Sequence, residues 1–490
     1  MPGITIVGLG PGDPAKITRE AWEVLAAART IWLRTREHPA VASLPASAHI
    51  QSFDLLYEHG ATFEEVYTGI SRRILELGRD DSGVVYAVPG HPFVAEATVP
   101  EIARQAREAN LPLRVVDGVS FLGAAFSALG IDPYPQLSLC DALTLGTAHV
   151  PLFPPDVPAL IAQIYSRLIA SEVKIVISQV FPDEHPVRLV HAAGTQAQHM
   201  EDLPLYLIDR SEHIGGLTCL YVPPLEKGSS LEAFQEVVAH LRAPEGCPWD
   251  RKQTHASLRA HLLEESYEAI SAMDSEDFDG MREEFGDLLL QIMLNAQIAS
   301  EEGQFTVNDV IRGIHDKIVR RHPHVFGNVD IRDVDGVLLN WERLTEQERA
   351  GKAREGGLLG GVPASLPALT QAQEYQERTA RVGFDWTEIH GVIEKIAEEV
   401  REVEQATDNG RVTAELGDLF FALVNFARWK GADAESALRE ANSRFRKRFE
   451  FIEQTARQQG LRLSELTLER MDAIWQEAKK IEAKSGLPPT

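Results

Sequence analysis

Cysteine is nearly absent. The three present, Cys140, Cys219 and Cys247, are scattered and odd in number, which excludes a disulfide framework or a cysteine metal site and suits a reducing compartment. Positive charge is also scarce. The 48 Lys and Arg face 73 Asp and Glu, a net charge of −25. That balance excludes broad binding to nucleic acid or to an anionic membrane, and suits a protein that collects divalent cations. No apolar run reaches the ~18–20 residues of a membrane span, and no basic, apolar leader opens the chain. The expectation is a cytoplasmic protein with neither a nucleic-acid nor a membrane partner. What is plentiful is ordinary globular material: hydrophobic content is 44%, enough for a core in each of about three domains.

Two carboxylate clusters stand out. The stretch E398-E-V-R-E402 is followed by a short polar loop, T407-D-N-G-R411, and then by E415-L-G-D418. Residues three apart share a helix face, so Glu399 pairs with Glu402 and Glu415 with Asp418. Val392, Ile396, Val400 and Leu416, Leu419, Phe420 supply apolar faces beside them, so a helical hairpin is expected. Four like charges gathered by a hairpin need a cation, and oxygen-only ligands suit Mg2+ or Mn2+ rather than zinc. A solvated acidic face is the competing reading. Repetition decides against it: Glu265 and Glu268 lie 134 positions before Glu399 and Glu402, and Glu284 and Asp287 lie 131 before Glu415 and Asp418, each set with the same G-D-L.

The repeat continues downstream. Lys317 and Arg321 stand four apart, as do Arg444 and Arg448, 127 positions later; Trp341 and Trp475 follow at an offset of 134. This order of motifs resembles the MazG family of nucleoside triphosphate pyrophosphohydrolases, as two tandem units across roughly residues 231 to 480. R-R-H-P-H-V-F and A-R-V-G-F-D-W also resemble MazG sequence. The resemblance implies conversion of NTP and water to NMP and diphosphate, with all eight carboxylates as metal ligands and Glu399, Glu402, Glu415 and Asp418 catalytic. Arg444, Arg448, Lys317 and Arg321 would meet phosphates. By the same resemblance Trp475 and Lys479 contact the nucleotide, with Trp475 stacked on the base and Trp341 its counterpart. Trp475 could instead be a core aromatic, and R-F-R-K-R a solvated basic face with Phe445 and Phe449 buried. The first unit has Thr345 where the second has Lys479, so the second is expected to be the main active site. His255, His261, His322 and His324 make no recognised zinc set and read as structural or phosphate-proximal.

The first 225 residues have another texture. Short β-rich runs at Ile4–Val7, Val84–Val88, Leu113–Val116, 174–178, 205–208 and 217–222 alternate with helical stretches, which argues an α/β region. Glycine- and proline-bearing loops follow three of these runs, pointing to a ligand crevice at one sheet edge. The set G-L-G-P-G-D-P, P-G-H-P-F-V-A-E and D-G-V-S resembles the tetrapyrrole methylases, which bind S-adenosylmethionine, and is closest to the YabN type, in which that domain precedes MazG units. Pro11, Gly90, His91, Val94, Ser120 and Phe121 would then line a cofactor pocket. His91 replaces an acid of the family's G-G-D-P, and Asp117 replaces the proline of P-G-V/I-[ST].

The expected architecture is therefore multidomain: an α/β methylase-like domain over 1–225, an all-α MazG-like unit over 229–345, a linker over 346–366 rich in glycine, and a second all-α unit over 367–490. Each helical unit is thin, so pairing with another unit or in a homodimer is expected. An alternative is an S-adenosylmethionine-dependent methyltransferase or ligand sensor whose MazG units are regulatory or structural. A di-iron bundle would need E-x-x-H pairs, which neither hairpin has.

Overall fold

The computed structural model describes residues 2–59, 62–329, part of 331–344, and 357–484. Residues 345–356, which include Thr345 and most of the expected linker, lie outside the described residues. By compactness the chain divides into Met1–Lys252 and Gln253–Thr490.

The first unit is α/β and carries two sheets. Its strands are β1 (Ile4–Gly8), β2 (Thr30–Leu33), β3 (His49–Ser52), β4 (Val84–Val88), β5 (Leu113–Val116), β6 (Ser138–Asp141), β7 (Ala159–Ala162), β8 (Pro186–His191), β9 (His199–Pro204) and β10 (Thr218–Val222). Helices α1 (Arg19–Ala27), α2 (Asp54–His59), α3 (Phe63–Gly78), α4 (Thr98–Glu108), α5 (Phe121–Leu129), α6 (Ala142–Gly146), α7 (Arg167–Ile177) and α8 (Leu231–Arg242) accompany them. The first sheet is parallel in the order β3-β2-β4-β1-β5. Its central strands are apolar on both faces, as a sheet covered on both sides requires: Ile4, Ile6, Val7, Tyr86 and Val88 are buried. The second sheet runs β6-β7-β10-β8-β9, with only the β6–β7 pair parallel.

Two expected strands are not strands. Residues 174–178 sit at the end of α7, where Ser166 caps the start and Ile169, Ala170, Val173, Val176 and Ile177 are buried at spacings of one helical face. Packing at period 3.6 overrides the β-branched composition, and Lys174 pairs with Asp209 at 2.6 Å. Residues 205–208 form part of a 3-10 turn, Leu205–Arg210, entered from Pro204.

The second unit is helical. Among the described residues its helices include α9 (His255–Asp274), α10 (Phe278–Glu301), α11 (Val307–Arg321), α12 (Pro323–Phe326), α13 (Ala368–Ala380), α14 (Ile389–Gln405), α15 (Asn409–Trp429), α16 (Ala434–Gln458) and α17 (Leu468–Lys484). Antiparallel pairs α9/α10 and α14/α15 are the two expected hairpins. Their turns are tighter than T407–R411 suggested, because Asp408 accepts from Arg411 N at 3.0 Å and starts α15 at once. Asp277 does the same for α10. Each cap is worth about 1 kcal/mol. Gln376 on α13 donates to the carbonyl of Phe421 at 2.8 Å, and Gln373 accepts from Ala434 N at 2.9 Å, so α13 is tied to both α15 and α16. The A-R-V-G-F-D-W motif closes this bundle: Asp385 accepts from Arg428 at 2.7 Å and from the Trp429 indole at 3.2 Å.

Candidate functional site

The hairpins bring carboxylates together as the spacing implied, with one difference in each. Donor atoms of Glu399, Glu402 and Glu415 lie within 4.8 Å of one another, and so do those of Glu265, Glu268 and Glu284. Asp418 and Asp287 stand outside these groups. Three residues of helix carry a side chain about 4.5 Å along the axis. When Glu415 meets the α14 pair, Asp418 is therefore one turn further on. Asp287 still faces its cluster, because its charge acts on both Glu265 and Glu284.

Electrostatics follow from this crowding. Partial loss of hydration, then the neighbouring charges of Glu399 and Glu415, raise the Glu402 carboxyl above its ordinary range. Loss of hydration and the acids around them raise Glu265 and Glu284 likewise. The second cluster has an internal counter-charge. Lys395 Nζ lies 2.7 Å from Glu399 and 3.0 Å from Glu398. The position 134 earlier is His261, whose ring nitrogen is 3.7 Å from Glu264. Glu399 is only 3% exposed, and its Oε2 is buried with no hydrogen-bond partner among the described residues. A buried, unpartnered carboxylate oxygen beside two further carboxylates fits a hard cation bound through oxygen.

The basic pairs and tryptophans form groups of their own. Arg448 donates through Nε and Nη2 to Glu482 at 3.0 and 2.8 Å, and its guanidinium lies 5.4 Å from the centre of the Trp475 ring. Arg444 lies 3.4 Å from Glu440. Trp475 also meets Phe445 at 5.3 Å. Phe445 is 60% exposed, so the reading that buries it under a basic face does not hold. Lys479 is exposed one turn beyond Trp475. The first unit mirrors this: Arg321 lies 6.0 Å from the Trp341 ring, which His322 also approaches, while Lys317 is exposed on α11.

In the α/β unit three strand-end loops converge. The backbones of Gly10 and Gly90 exchange hydrogen bonds of 3.1 and 2.9 Å. Gly118 packs so closely that a Cβ there would lie 2.2 Å from the Gly90 carbonyl, and one on Gly8 would lie 2.6 Å from Gly118 N. Gly90 takes φ +66°, which favours glycine. Five of the six expected pocket residues sit on these loops, and Phe121 directly follows the third. Pro11 follows the first; His91 and Val94 form a turn in the second, with Val94 N donating to His91 O at 3.0 Å; Ser120 caps α5, whose first residue is Phe121. The two departures from the family pattern meet each other, since His91 Nε2 is 3.4 Å from Asp117 Oδ1.

Sequence reading missed the residues beneath this edge. Glu96 is buried, ion-paired to Arg34, and accepts from Thr98 N at 3.0 Å; Arg34 also donates to the Tyr57 hydroxyl at 2.9 Å. His38 is buried with Nδ1 unpartnered among the described residues, and burial pushes its pKa down to about 4. The Cys219 thiol is pushed up to about 12 by burial. No helix among the described residues is long and apolar enough to cross a membrane.

Comparison with known proteins matches these parts separately and together. Residues 253–326 match the MazG nucleotide pyrophosphohydrolase domain, and residues 3–209 the tetrapyrrole (corrin/porphyrin) methylases. An uncharacterised protein of Bacillus subtilis, YabN, is 42% identical over 98% of this chain and 99% of its own length. The nucleoside triphosphate pyrophosphohydrolase/pyrophosphatase MazG of Thermotoga maritima is 45% identical over 52% of this chain and 97% of its own. The Escherichia coli K12 nucleoside triphosphate pyrophosphohydrolase is 43% identical over 52% and 98%. With the two hairpins, the converging glycine loops and near full-length similarity in hand, the chain belongs to the MazG nucleotide pyrophosphohydrolase family, in the YabN-type arrangement that sets a tetrapyrrole methylase domain ahead of the helical region.

Proposed function

We propose that the helical unit hydrolyses nucleoside triphosphates to NMP and diphosphate with Mg2+ or Mn2+, and that the α14/α15 hairpin is its main site. The observation that carries this is the Glu399, Glu402 and Glu415 group, whose donors lie within 4.8 Å around a buried, unpartnered oxygen. These three carboxylates would hold the ion, with Asp418 one turn away. A bound divalent ion would screen phosphate charge and acidify water. Lys395 offsets part of the Glu399 charge through one carboxylate oxygen. The forked donors of Arg448 now occupied by Glu482 match a phosphate equally well, and Arg444 lies one turn before it. Trp475 offers a ring for any base, and Lys479 is one turn away. The family match falls on the first hairpin, which keeps its acids and basic pair. Its cluster lacks a lysine at the place of Lys395, and Thr345 stands where Lys479 would be.

The same reading includes a homodimer in the cytoplasm. Phe285, Leu289 and Ile292 on α10 and Ile311, Ile314 and Ile318 on α11 are each 38–49% exposed, an apolar face that a second copy would cover. It also includes S-adenosylmethionine at the converging loops of the α/β unit, where glycine brings backbone close to a ligand.

The test is diphosphate release from a panel of NTPs with Mg2+, comparing wild type with Glu399→Gln, Glu415→Gln and Glu265→Gln. Loss of at least about 100-fold in the first two, with Glu265→Gln active, is expected. Loss in Glu265→Gln alone moves the site to α9/α10, and an inert wild type defeats the hydrolase reading.

A further inference from the structure

Outside both sites described above, the second sheet assembles a different donor set. β8 and β9 pair antiparallel, with His191 opposite His199 and Leu189 opposite Glu201. Opposite residues share a face, and alternate residues along a strand share one too. His191, His199 and Glu201 are thus on one side of an edge hairpin. His213 joins them from the segment after the Leu205–Arg210 turn. The ring centres of His199 and His213 are 4.6 Å apart, and His191 lies 6.0 and 5.8 Å from them.

The group is held by a chain of hydrogen bonds with defined directions. Gly215 N donates to Thr218 Oγ1 at 2.9 Å, and Thr218 lies 3.0 Å from His191 Nδ1. His191 Nε2 lies 3.1 Å from Glu201 Oε2. A carboxylate only accepts, so Nε2 donates, and the Thr218 hydroxyl donates to Nδ1. The Ser211 hydroxyl also meets Glu201 Oε2 and accepts from His213 N at 3.1 Å, which ties the loop bearing His213 to the same carboxylate. Both nitrogens of His191 are thereby engaged, whereas Glu201 is half-buried and the rings of His199 and His213 are exposed.

We propose that His199, Glu201 and His213 form a binding site for a first-row divalent transition metal of the zinc type. Two imidazoles and one carboxylate are a donor set for such ions and a poor one for Mg2+. Their donor atoms lie within 4.8 Å of one another. Zinc bonds of about 2.0–2.2 Å place ligand atoms roughly 3.4 Å apart, so the two exposed imidazoles turn inward on binding. His191 and Ser211 act behind the ligands, orienting Glu201, a position whose loss costs about 10- to 100-fold in metal affinity. The fourth place remains open to water or an anionic ligand.

The test uses the full chain, stripped with a chelator and titrated with Zn2+ against a chromophoric competitor, in excess Mg2+ to occupy the carboxylate hairpins. One tight equivalent is expected. His199→Ala/His213→Ala should weaken it by at least about 100-fold, and Ser211→Ala by about 10-fold. Loading with Co2+ should give the visible absorption of a four-coordinate site in wild type and not in the double variant. Zn2+ binding unchanged in the double variant overturns the proposal, as does binding lost only in Glu265→Gln/Glu399→Gln.

Discussion

Gly118→Ala probes the convergence of the three glycine loops most directly. The added methyl would sit 2.2 Å from the Gly90 carbonyl oxygen and 2.8 Å from Gly8, and all these neighbours are backbone. No side chain can rotate away, so the loops after β1, β4 and β5 must part by about an ångström. Overpacking of this kind costs about 1–3 kcal/mol. Parting also breaks the two Gly10–Gly90 hydrogen bonds, about 1 kcal/mol each. A total of about 4 kcal/mol lowers the melting temperature of a unit this size by roughly 8–16 °C. Differential scanning calorimetry of the full chain should show the transition of the α/β unit falling by that amount, with diphosphate release from the helical unit retained. Gly123→Ala is the control: it lies in α5 with nothing within 4 Å of the new methyl, and should be neutral or up to about 1 kcal/mol stabilising. A Gly118→Ala protein that melts within about 1 °C of wild type refutes the argument that close backbone approach dictates these glycines.

Lys395→Met should lower the Mg2+ concentration for half-maximal activity by about two- to five-fold, the worth of a half-exposed ion pair, because Glu399 loses its internal counter-charge. An increase instead would mean that Lys395 serves to hold Glu399 in its ligating position. The two units should respond oppositely to pH. Glu265, Glu284 and Glu402 have raised pKa values, so the native hairpins hold protons more tightly than the unfolded chain. Without metal, their stability falls as pH rises from the ordinary glutamate value of 4.5 through the raised values, and Mg2+ should abolish that loss. His38 has the reverse sign. Its pKa drops from 6.5 to about 4 on folding, so the α/β unit keeps its full stability above 6.5 and loses it as pH falls toward 4. Calorimetry from pH 4 to 8, with and without Mg2+, reads both slopes; His38→Asn should flatten the second.

The carboxylate hairpins were legible because two periodicities coincide there: acids at three-residue spacing on one face, apolar residues on the other, and the whole repeated. The strands β1, β4, β5 and β10 were legible as apolar runs ending in glycine or proline. The strands β2, β3, β6 and β7 are as short as β5, too short to carry a period, and no glycine-bearing loop directly follows them to mark their ends. Residues 174–178 misled because Ile and Val read as strand, whereas the signal that mattered was Ser166, a cap eight residues earlier. Asp418 shares a face with Glu415 but not a height, and spacing along one helix does not say which turn meets the partner. Arg34, Glu96 and the histidine cluster stayed hidden because tertiary pairing alone assembles them. The one trace of the cluster is the alternation His199-Met200-Glu201, which becomes meaningful once β9 is known to be a strand.

The parallel sheet also sets a schedule for synthesis. Ile4 pairs with Val84 and with Leu113, so β1 emerges first and finds its neighbours only after some eighty and then more than a hundred further residues. At about 5–20 residues per second that is a wait of several seconds to about twenty. Throughout it, the apolar I-T-I-V segment is an unpaired strand on the ribosome. The helical hairpins need no such wait, since α14 and α15 meet across a turn of three residues and close as soon as both are made. The nascent chain is therefore exposed to misassembly mainly while the α/β unit is being made. Variants that slow the docking of β4 or β5 should first show as aggregated product rather than as weak enzyme.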